Sequence, residues 1–323
     1  MRHIRTNLTV LWGPAAILLL SLLIAGCGGG SSSTGGGPTP TPGPTVSPSP
    51  IPAGTSHVAL VILENHGFAQ VIGSPSMPYL NSLASQDSLA TNYFANAHPS
   101  IGNYFMLTTG VIESTDDNFA GTITDDNLAR ALTSAGKTWK AYFQSIPSQG
   151  YLGPDVFPYL RHHNPFSYFS DVQGSTSQAA NIVPIGQLAT DVGANALPSF
   201  AFIKADVEHD AHDCPGGGTT CPDSDRLAAA DAWLQQNIDP LIKSPAFGGG
   251  VLIITWDEGQ AADLANGGGQ VATVLVGNGV KTGFTSATMF QHQSTLRLIL
   301  DLLQVGDHPG ASATAPSMSE FFQ

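Results

Sequence analysis

The chain has 323 residues, and 42% of them are hydrophobic, which is enough to build a core and excludes a chain that is disordered throughout. Asp and Glu number 24 against 11 Lys and Arg, so the net charge is −13. A surface of that sign repels nucleic-acid backbones and argues against general nucleic-acid binding, and an anionic substrate would need a local positive centre.

The first 27 residues resemble a bacterial export signal. Arg2 and Arg5 precede an apolar stretch, and small residues stand directly before Cys27. This arrangement resembles a lipobox, in which Cys27 is acylated and becomes the first mature residue. The alternative is an uncleaved membrane helix, although the apolar run is short for a span. We therefore expect an exported protein that is lipid-anchored in the bacterial cell envelope and faces the periplasm or the exterior.

Residues 28–56 have the composition of a linker. They contain no charged residue and consist almost entirely of Gly, Ser, Thr and Pro. Such a segment builds no core, and its proline-rich part favours an extended chain of about 3.1 Å per residue. We interpret it as a spacer between the anchor and one folded domain over residues 57–323.

The predicted domain alternates strands and helices. Continuous apolar runs typical of strands buried on both faces occupy residues 57–63, 200–205, 250–256 and 271–277, with a further strand over 137–143. Helical patterns occupy residues 78–86, 127–136, 225–242 and 292–304. Gly136 stands where a helix C-terminus is expected. This alternation predicts an α/β fold, with a mainly parallel central sheet flanked by helices on both faces.

Polar residues follow three of the predicted strands. Glu64 and Asn65 come after the first strand, Asp257 and Glu258 come after the strand at 250–256, and an Asp- and His-rich loop spans 206–213. In parallel sheets, functional residues collect at the carboxyl ends of the strands. Carboxylate and amide oxygens suit hard divalent cations, and imidazoles extend the choice to borderline ones. The alternative is that these are ordinary loop residues and helix caps.

Ser100 is a candidate nucleophile. It follows Pro99 and precedes a predicted helix, so its hydroxyl would lie beside the free N–H groups and the positive end of the helix dipole. That environment suits a phosphate group. The alternative is an ordinary serine N-cap. The nearby His98 is interpreted as structural, and His292 at the start of the last helix either reaches the site or caps the helix.

Cys214 and Cys221 flank a glycine-rich loop. In an exported protein a local disulfide is the first interpretation. A metal-binding pair is the alternative, although two cysteines without others nearby are a weak zinc signal.

The chain resembles the bacterial phosphoesterase family, a branch of the alkaline phosphatase superfamily that holds secreted acid phosphatases and phospholipases C. The resemblance covers residues 57–305 and rests on six motifs in the family's order: ENHGFAQVIG, PYLNSLA, HPSIGNYFMLTTG, DAHD, LIITWDEG and HQSTLRLI. The segment YLRHHNPF, residues 159–166, resembles the small secreted acid phosphatases more than the larger phospholipases C. It implies an alkaline-phosphatase-like fold and hydrolysis of phosphoesters.

The resemblance also implies roles for individual residues. The implied metal ligands are Glu64, Asn65, Asp257 and Glu258, and Ser100 is the implied nucleophile. His212 of the DAHD motif is implied to contact phosphate or act as general acid. The implied substrate contacts are Asn103, His162, His163 and Asp210. The chain departs from the family's usual residues at Gly102, Ala205, Asp206 and His209, and none of these is a proposed ligand.

Three functions are compatible with this pattern. The first is a metal-dependent phosphomonoesterase that forms a phosphoserine and favours mildly acidic pH. The second is a phospholipase C-type phosphodiesterase acting on phospholipid head groups, and the third is a surface lipoprotein that binds a ligand without catalysis. The cofactor is expected to be a divalent ion, with calcium, magnesium, manganese, zinc and iron all open.

Overall fold

The computed structural model describes residues 51–52 and 54–323. The predicted signal with Cys27 and most of the predicted linker lie outside these residues. The described residues belong to one unit, Ser47–Gln323, and the boundaries of the domain stay a prediction. None of the described helices combines the length and the apolar character needed to cross a bilayer.

The secondary structure of the described residues alternates as expected. The strands are β1 Val58–Leu63, β2 Ser88–Phe94, β3 Trp139–Phe143, β4 Ile182–Pro184, β5 Phe200–Lys204, β6 Val251–Trp256, β7 Gln270–Gly277, β8 Phe284–Ser286 and β9 Phe290–Gln291. The α-helices are α1 Phe68–Val71, α2 Pro78–Gln86, α3 Ile101–Thr109, α4 Leu128–Ser134, α5 Ser170–Gln173, α6 Thr176–Ala179, α7 Gly186–Gly193, α8 Asp223–Asn237, α9 Asp239–Lys243 and α10 His292–Leu302.

The strands form one mostly parallel sheet in the order β4-β3-β5-β1-β6-β7-β2-β8, with β9 also paired to β2. At its centre, Val58 of β1 lies in register with Phe200 of β5 on one side and Val251 of β6 on the other. Every residue of β1 is fully buried, as its unbroken apolar sequence predicts for a strand covered on both faces. The α/β fold with helices flanking the sheet is confirmed.

Strand β7 is antiparallel to both of its neighbours, β6 and β2. The segment between β6 and β7, residues 257–269, contains only one short 3₁₀ turn. A parallel return to the same sheet needs a longer crossover, usually a helix. The apolar run at 271–277 predicted the strand but carried no information about its direction.

The helix predicted over 225–242 is two helices. Helix α8 ends at Asn237 and α9 begins at Asp239, with Ile238 between them. Pro240 lies in the first turn of α9, where its missing N–H costs nothing, whereas in the middle of a longer helix it would break the hydrogen-bond ladder. Gly136 has φ +69°, so the C-terminus predicted for α4 is confirmed.

The carboxyl ends of β5, β1 and β6 meet at one edge of the sheet because these three strands are parallel neighbours. Helix α3 packs against α10, and α2 packs against α8. This arrangement brings the ends of β1 and β6, the loop after β5 and the N-terminus of α3 together.

Candidate active site

Glu64 lies at the centre of the candidate site. It follows β1, is fully buried, and its backbone N–H donates to the carbonyl of Asp210 at 2.8 Å. Its two carboxylate oxygens face different partners. Oε1 lies 3.2 Å from Lys204 Nζ and accepts a hydrogen bond from the Tyr104 hydroxyl, while Oε2 accepts one from Ser100 Oγ at 3.3 Å. Burial acts to raise the pKa of Glu64, but Lys204 and the other donors lower it below its ordinary value.

Ser100 lies at the start of helix α3, as its sequence context predicts. It has helical backbone angles, its residue is 5% exposed, and Ile101 begins the helix proper. The Ile101 N–H donates to Asp117 Oδ1 at 3.1 Å, so this N–H group is already used within the protein. The Ser100 side chain contacts Glu64. The role of Ser100 as nucleophile stays a prediction.

Asn65 and Asp257 complete a group of converging oxygen atoms. The backbone of Asn65 is left-handed, with φ +49°, a conformation that asparagine tolerates better than most residues. Its N–H donates to Asp257 Oδ1 at 3.3 Å, and its side-chain amide faces Asp257 Oδ1 at 3.2 Å and Glu64 Oε2 at 3.0 Å. With nitrogen in that position the amide donates to both carboxylates. With oxygen there, three oxygens point at a shared space, as ligands of a cation do.

Unbalanced negative charge marks the same place. Asp257 Oδ2 is buried and has no hydrogen-bond partner within the described part of the chain. Burial and the neighbouring Glu64 and Glu258 carboxylates raise the pKa of Asp257 well above its ordinary value. Burial also raises the pKa of Glu258 to about 7, with Glu64 acting in the same direction and His98 against it. These residues therefore fit a divalent cation in donor type and in charge.

Glu258 is held by one residue from the segment before α3 and by one residue of α3 itself. Its Oε2 lies 3.1 Å from His98 Nδ1 and 3.4 Å from Asn103 Nδ2, so His98, which was interpreted as structural, contacts a predicted metal ligand. The Asn103 amide also accepts the N–H groups of Asn96 and Ala97 at 2.9 and 3.1 Å and donates to the Ala97 carbonyl at 2.8 Å. Asn103 thus fixes the loop before Ser100, and its contact with phosphate stays a prediction.

Lys204, the last residue of β5, also belongs to the site and was not among the predicted site residues. It is 1% exposed, and its Nζ contacts Asp210 Oδ2 and lies 3.2 Å from Glu64 Oε1. Burial acts to lower its pKa, but Asp210 and Glu64 raise it, so the ammonium stays charged. A lysine that ends an apolar strand and leads into an acidic loop was the available signal.

Glu64 also belongs to a second buried group: Glu64, His163 and Asp210 each offer a ligand atom within 4.8 Å of the others, and such a group could bind a metal ion. His163 Nε2 lies 3.5 Å from Glu64 Oε1, and Nδ1 lies 3.8 Å from Asp210 Oδ2. Burial and Lys204 lower the pKa of His163 well below its ordinary value, and burial raises that of Asp210 to about 6. The His162 ring packs edge-on against the His163 ring, with 4.5 Å between the two ring centroids, and His162 is less buried than His163.

His212 lies at the open side of this group. Its side chain is 37% exposed, its Nδ1 lies 2.8 Å from Asp213 Oδ1, and its N–H donates to Asp210 Oδ1 at 2.9 Å. Burial acts to lower its pKa, but Glu64 and Asp210 raise it above its ordinary value, which favours the protonated ring. The carboxylate of Asp210 contacts the Lys204 ammonium and accepts this backbone N–H. Its contact with substrate stays a prediction.

His292 supports the site from helix α10. Its ring is fully buried, with Nε2 2.6 Å from the Asp257 carbonyl and Nδ1 3.1 Å from the Tyr93 hydroxyl. Burial lowers its pKa to about 4. Two interpretations were left open for His292, contact with the site and capping of the helix. The structure shows contact with the site, through the backbone carbonyl of Asp257.

Cys214 and Cys221 form the predicted disulfide, with a Cα–Cα distance of 5.7 Å. The bond closes the glycine-rich loop that follows the Asp-x-His-Asp segment. The metal-binding alternative for these two cysteines is therefore wrong.

The fold and the site define an α/β enzyme with a serine hydroxyl set among buried carboxylates. The model of the Phosphoesterase family matches residues 74–306, more than half of the chain. The chain belongs to this family, and it is a hydrolase that acts on phosphoester bonds.

The names of similar proteins agree with this assignment. The chain is 29% identical over 257 residues to the phosphatidylinositol-3-phosphatase of Mycobacterium tuberculosis, covering 78% of this chain and 79% of that protein. It is 27% identical to a probable acid phosphatase of Kluyveromyces lactis and 28% identical to a phosphate-repressible acid phosphatase of Penicillium chrysogenum. Those alignments cover 78% and 67% of this chain, but only 59% and 52% of the fungal proteins.

Solved structures share the fold. A Vibrio parahaemolyticus protein of the alkaline phosphatase superfamily superposes with a TM-score of 0.59 at 14% identity, over 84% of this chain and 73% of that one. A phosphonate monoester hydrolase from Silicibacter pomeroyi gives a TM-score of 0.53 at 12% identity, over 83% and 76%. The alkaline-phosphatase-like fold expected from the resemblance is confirmed.

Proposed function

We propose that this protein is an exported, metal-dependent phosphomonoesterase that works through a phosphoserine at Ser100. One observation carries the proposal: the Ser100 hydroxyl lies 3.3 Å from Glu64 Oε2, the same oxygen that the Asn65 amide faces at 3.0 Å. A hydroxyl placed among cation-type ligands is arranged for attack on phosphorus.

The residues that would hold a divalent ion are Glu64, Asn65, Ser100 and Asp257, with Glu258 next to them. The unpartnered Asp257 Oδ2 and the raised pKa values of Asp257 and Glu258 support this set. When bound, such an ion supplies the positive charge that stabilises a serine alkoxide and the phosphoryl oxygens. The predicted metal dependence therefore agrees with the residues present, and the identity of the ion is open.

In the proposed reaction, Ser100 Oγ forms a bond to phosphorus while the bond to the leaving alcohol breaks. The hydroxyl proton of Ser100 passes to Glu64 Oε2, the oxygen that already accepts its hydrogen bond. His212 gives a proton to the leaving oxygen, a role that its exposure and raised pKa support. Water then attacks the phosphoserine, and the bond between phosphorus and Ser100 Oγ breaks. The same imidazole takes a proton from that water, and Ser100 Oγ recovers its own proton from Glu64 Oε2.

The relatives' names favour monoesters over diesters, because they describe acid phosphatases and a phosphatidylinositol-3-phosphatase. The test compares hydrolysis of p-nitrophenyl phosphate, p-nitrophenyl phosphorylcholine and phosphatidylinositol 3-phosphate by the metal-supplied protein. We expect turnover of the monoesters. Hydrolysis of the choline diester alone would support the phospholipase C alternative, and inertness on all three substrates would support a binding lipoprotein.

Export and lipid anchoring at Cys27 are proposed from the sequence of residues 1–56. Mass spectrometry of the mature N-terminus from a bacterial host tests them. We expect an acylated Cys27 in the membrane fraction, and a Cys27→Ala variant that is not acylated. An unmodified Met1 on the wild-type protein would contradict the anchor without affecting the proposed chemistry.

A further inference from the structure

Lys204 occupies an unusual position for a charged residue. Its side chain is 1% exposed, it lies at the end of a central strand, and its ammonium is enclosed by the site. A lysine is rarely buried this completely unless its charge is paired, because removal from water disfavours the ammonium. Here the pairing comes from Asp210, which it contacts through Oδ2, and from Glu64 Oε1 at 3.2 Å.

The same two carboxylates belong to a group with the composition of a metal site. Glu64, Asp210 and His163 offer two oxygens and one imidazole nitrogen within 4.8 Å of one another, and all three residues are buried. His163 Nε2 has no hydrogen-bond partner among the described residues, although it lies 3.5 Å from Glu64 Oε1. One imidazole nitrogen and two carboxylates are ligands that zinc and manganese accept.

The lysine and a metal ion would compete for this place. The ammonium contacts oxygens of two of the three ligand residues, so a divalent ion between them would meet a buried positive charge at short range. The other oxygen of Glu64, Oε2, faces Ser100 and the amide of Asn65 on the opposite side. The carboxyl group of Glu64 thus separates two cation positions, one filled by Lys204 and one lined by Asn65 and Asp257.

We propose that Lys204 is a built-in cation that occupies a latent metal site formed by Glu64, His163 and Asp210. The position carries a permanent single positive charge that does not exchange with the medium. The ammonium holds Glu64 Oε1, so that Oε2 is left to face Ser100. The inference concerns which cation lies in this cluster, and it does not depend on the reaction proposed above.

The test removes the ammonium in two ways. Lys204→Ser leaves open space between the ligands, whereas Lys204→Met keeps the volume of the side chain without its charge. The wild type and both variants are dialysed against micromolar Mn²⁺, and the bound metal is measured by elemental analysis. Thermal unfolding with Mn²⁺ and with chelator is measured in parallel.

We expect Lys204→Ser to bind one more Mn²⁺ per chain than the wild type, and its unfolding temperature to rise when Mn²⁺ is added. Lys204→Met should bind no additional ion because its methyl group fills the position. Adding His163→Phe to Lys204→Ser should remove the additional ion, while His163→Phe in the wild-type background should leave the metal content unchanged.

Two results would overturn the inference. One is a Lys204→Ser protein that takes up no additional Mn²⁺ and gains no thermal stability from it. The other is a wild-type protein that loses an ion on His163→Phe, since the cluster would then hold a metal beside the lysine. A wild type without any bound metal would refute the metal dependence proposed above, and the additional ion in Lys204→Ser would still support the inference.

Discussion

Replacing Ser100 with alanine should separate the chemistry of this protein from its stability. Within the described part of the chain the side chain makes one hydrogen bond, to Glu64 Oε2, and at 3.3 Å it is a long one. Its loss should cost about 1 kcal/mol of unfolding free energy or less. In a folded domain of this size that lowers the unfolding temperature by at most roughly 2 °C.

The effect on activity should be far larger. Removing the nucleophile of a covalent hydrolase can reduce kcat by roughly 10⁶-fold. We expect a loss of at least about 10⁴-fold with p-nitrophenyl phosphate, which corresponds to about 5.5 kcal/mol of activation free energy. The activity loss would therefore exceed the stability loss several-fold in free energy.

Ser294→Ala provides a matched control. Ser294 is buried in helix α10, and its hydroxyl has no partner among residues 51–52 and 54–323. Removing an unsatisfied hydroxyl should leave activity unchanged and leave the unfolding temperature equal or higher.

Two assays decide the matter: steady-state hydrolysis, and acid quenching of the wild type with ³²P-labelled substrate to trap phosphoserine. A Ser100→Ala protein within about tenfold of wild-type turnover would refute the role of Ser100, as would label attached to a different residue.

Three further predictions test the site and its scaffold. Chelation with EDTA followed by dialysis should abolish hydrolysis, and a divalent ion should restore it; full activity of a metal-free preparation would contradict the metal site. Asp191→Asn should destabilise the protein by about 2 kcal/mol at pH 7, because Asp191 accepts from Lys140 Nζ at 2.6 Å, Tyr142 Oη at 2.7 Å and Gln187 Nε2 at 2.9 Å. Burial acts to raise the pKa of Asp191, but these donors lower it below its ordinary value. The stabilisation that the Asp191 carboxylate gives to the fold should therefore be present near neutral pH and disappear as the pH falls through the lowered pKa. Urea unfolding that shows the same difference in unfolding free energy between wild type and Asp191→Asn at every pH would contradict this. Asp231→Ala should cost about 1 kcal/mol, because this carboxylate of α8 accepts two N–H groups at the start of α2; an unchanged urea midpoint would show that water replaces it.

Much of the fold could be predicted from sequence because it depends on local patterns. The run from Val58 to Leu63 is uniformly apolar, and only a strand covered on both faces buries all of it. Helix α2 begins and ends where its pattern predicts, at Pro78 and Gln86. Short strands such as β8 and β9 escaped prediction, because three or two residues carry too little periodicity to stand out.

The predicted site residues lie together, but several of their partners could be identified only in space. Glu64, Asp257 and Glu258 were found because acidic residues directly follow apolar strands in a chain with few charges. Lys204 was missed because a single lysine at a strand end has no meaning until its neighbours are known. His98 was assigned to the scaffold for the same reason, and its contact with Glu258 joins residues 160 positions apart in the sequence.

The sequence by itself determined the alternation of strands and helices, the family, and the chemical types of the candidate residues, because these depend on local pattern and ordered motifs. Only the tertiary structure decided the direction of β7 and the two contacts of the Glu64 carboxylate, one with Lys204 and one with Ser100. It also decided the burial that raises the pKa of Asp257 well above its ordinary value. These properties are set by distances between residues far apart along the chain and by exclusion of water, and neither is encoded in any local stretch of sequence.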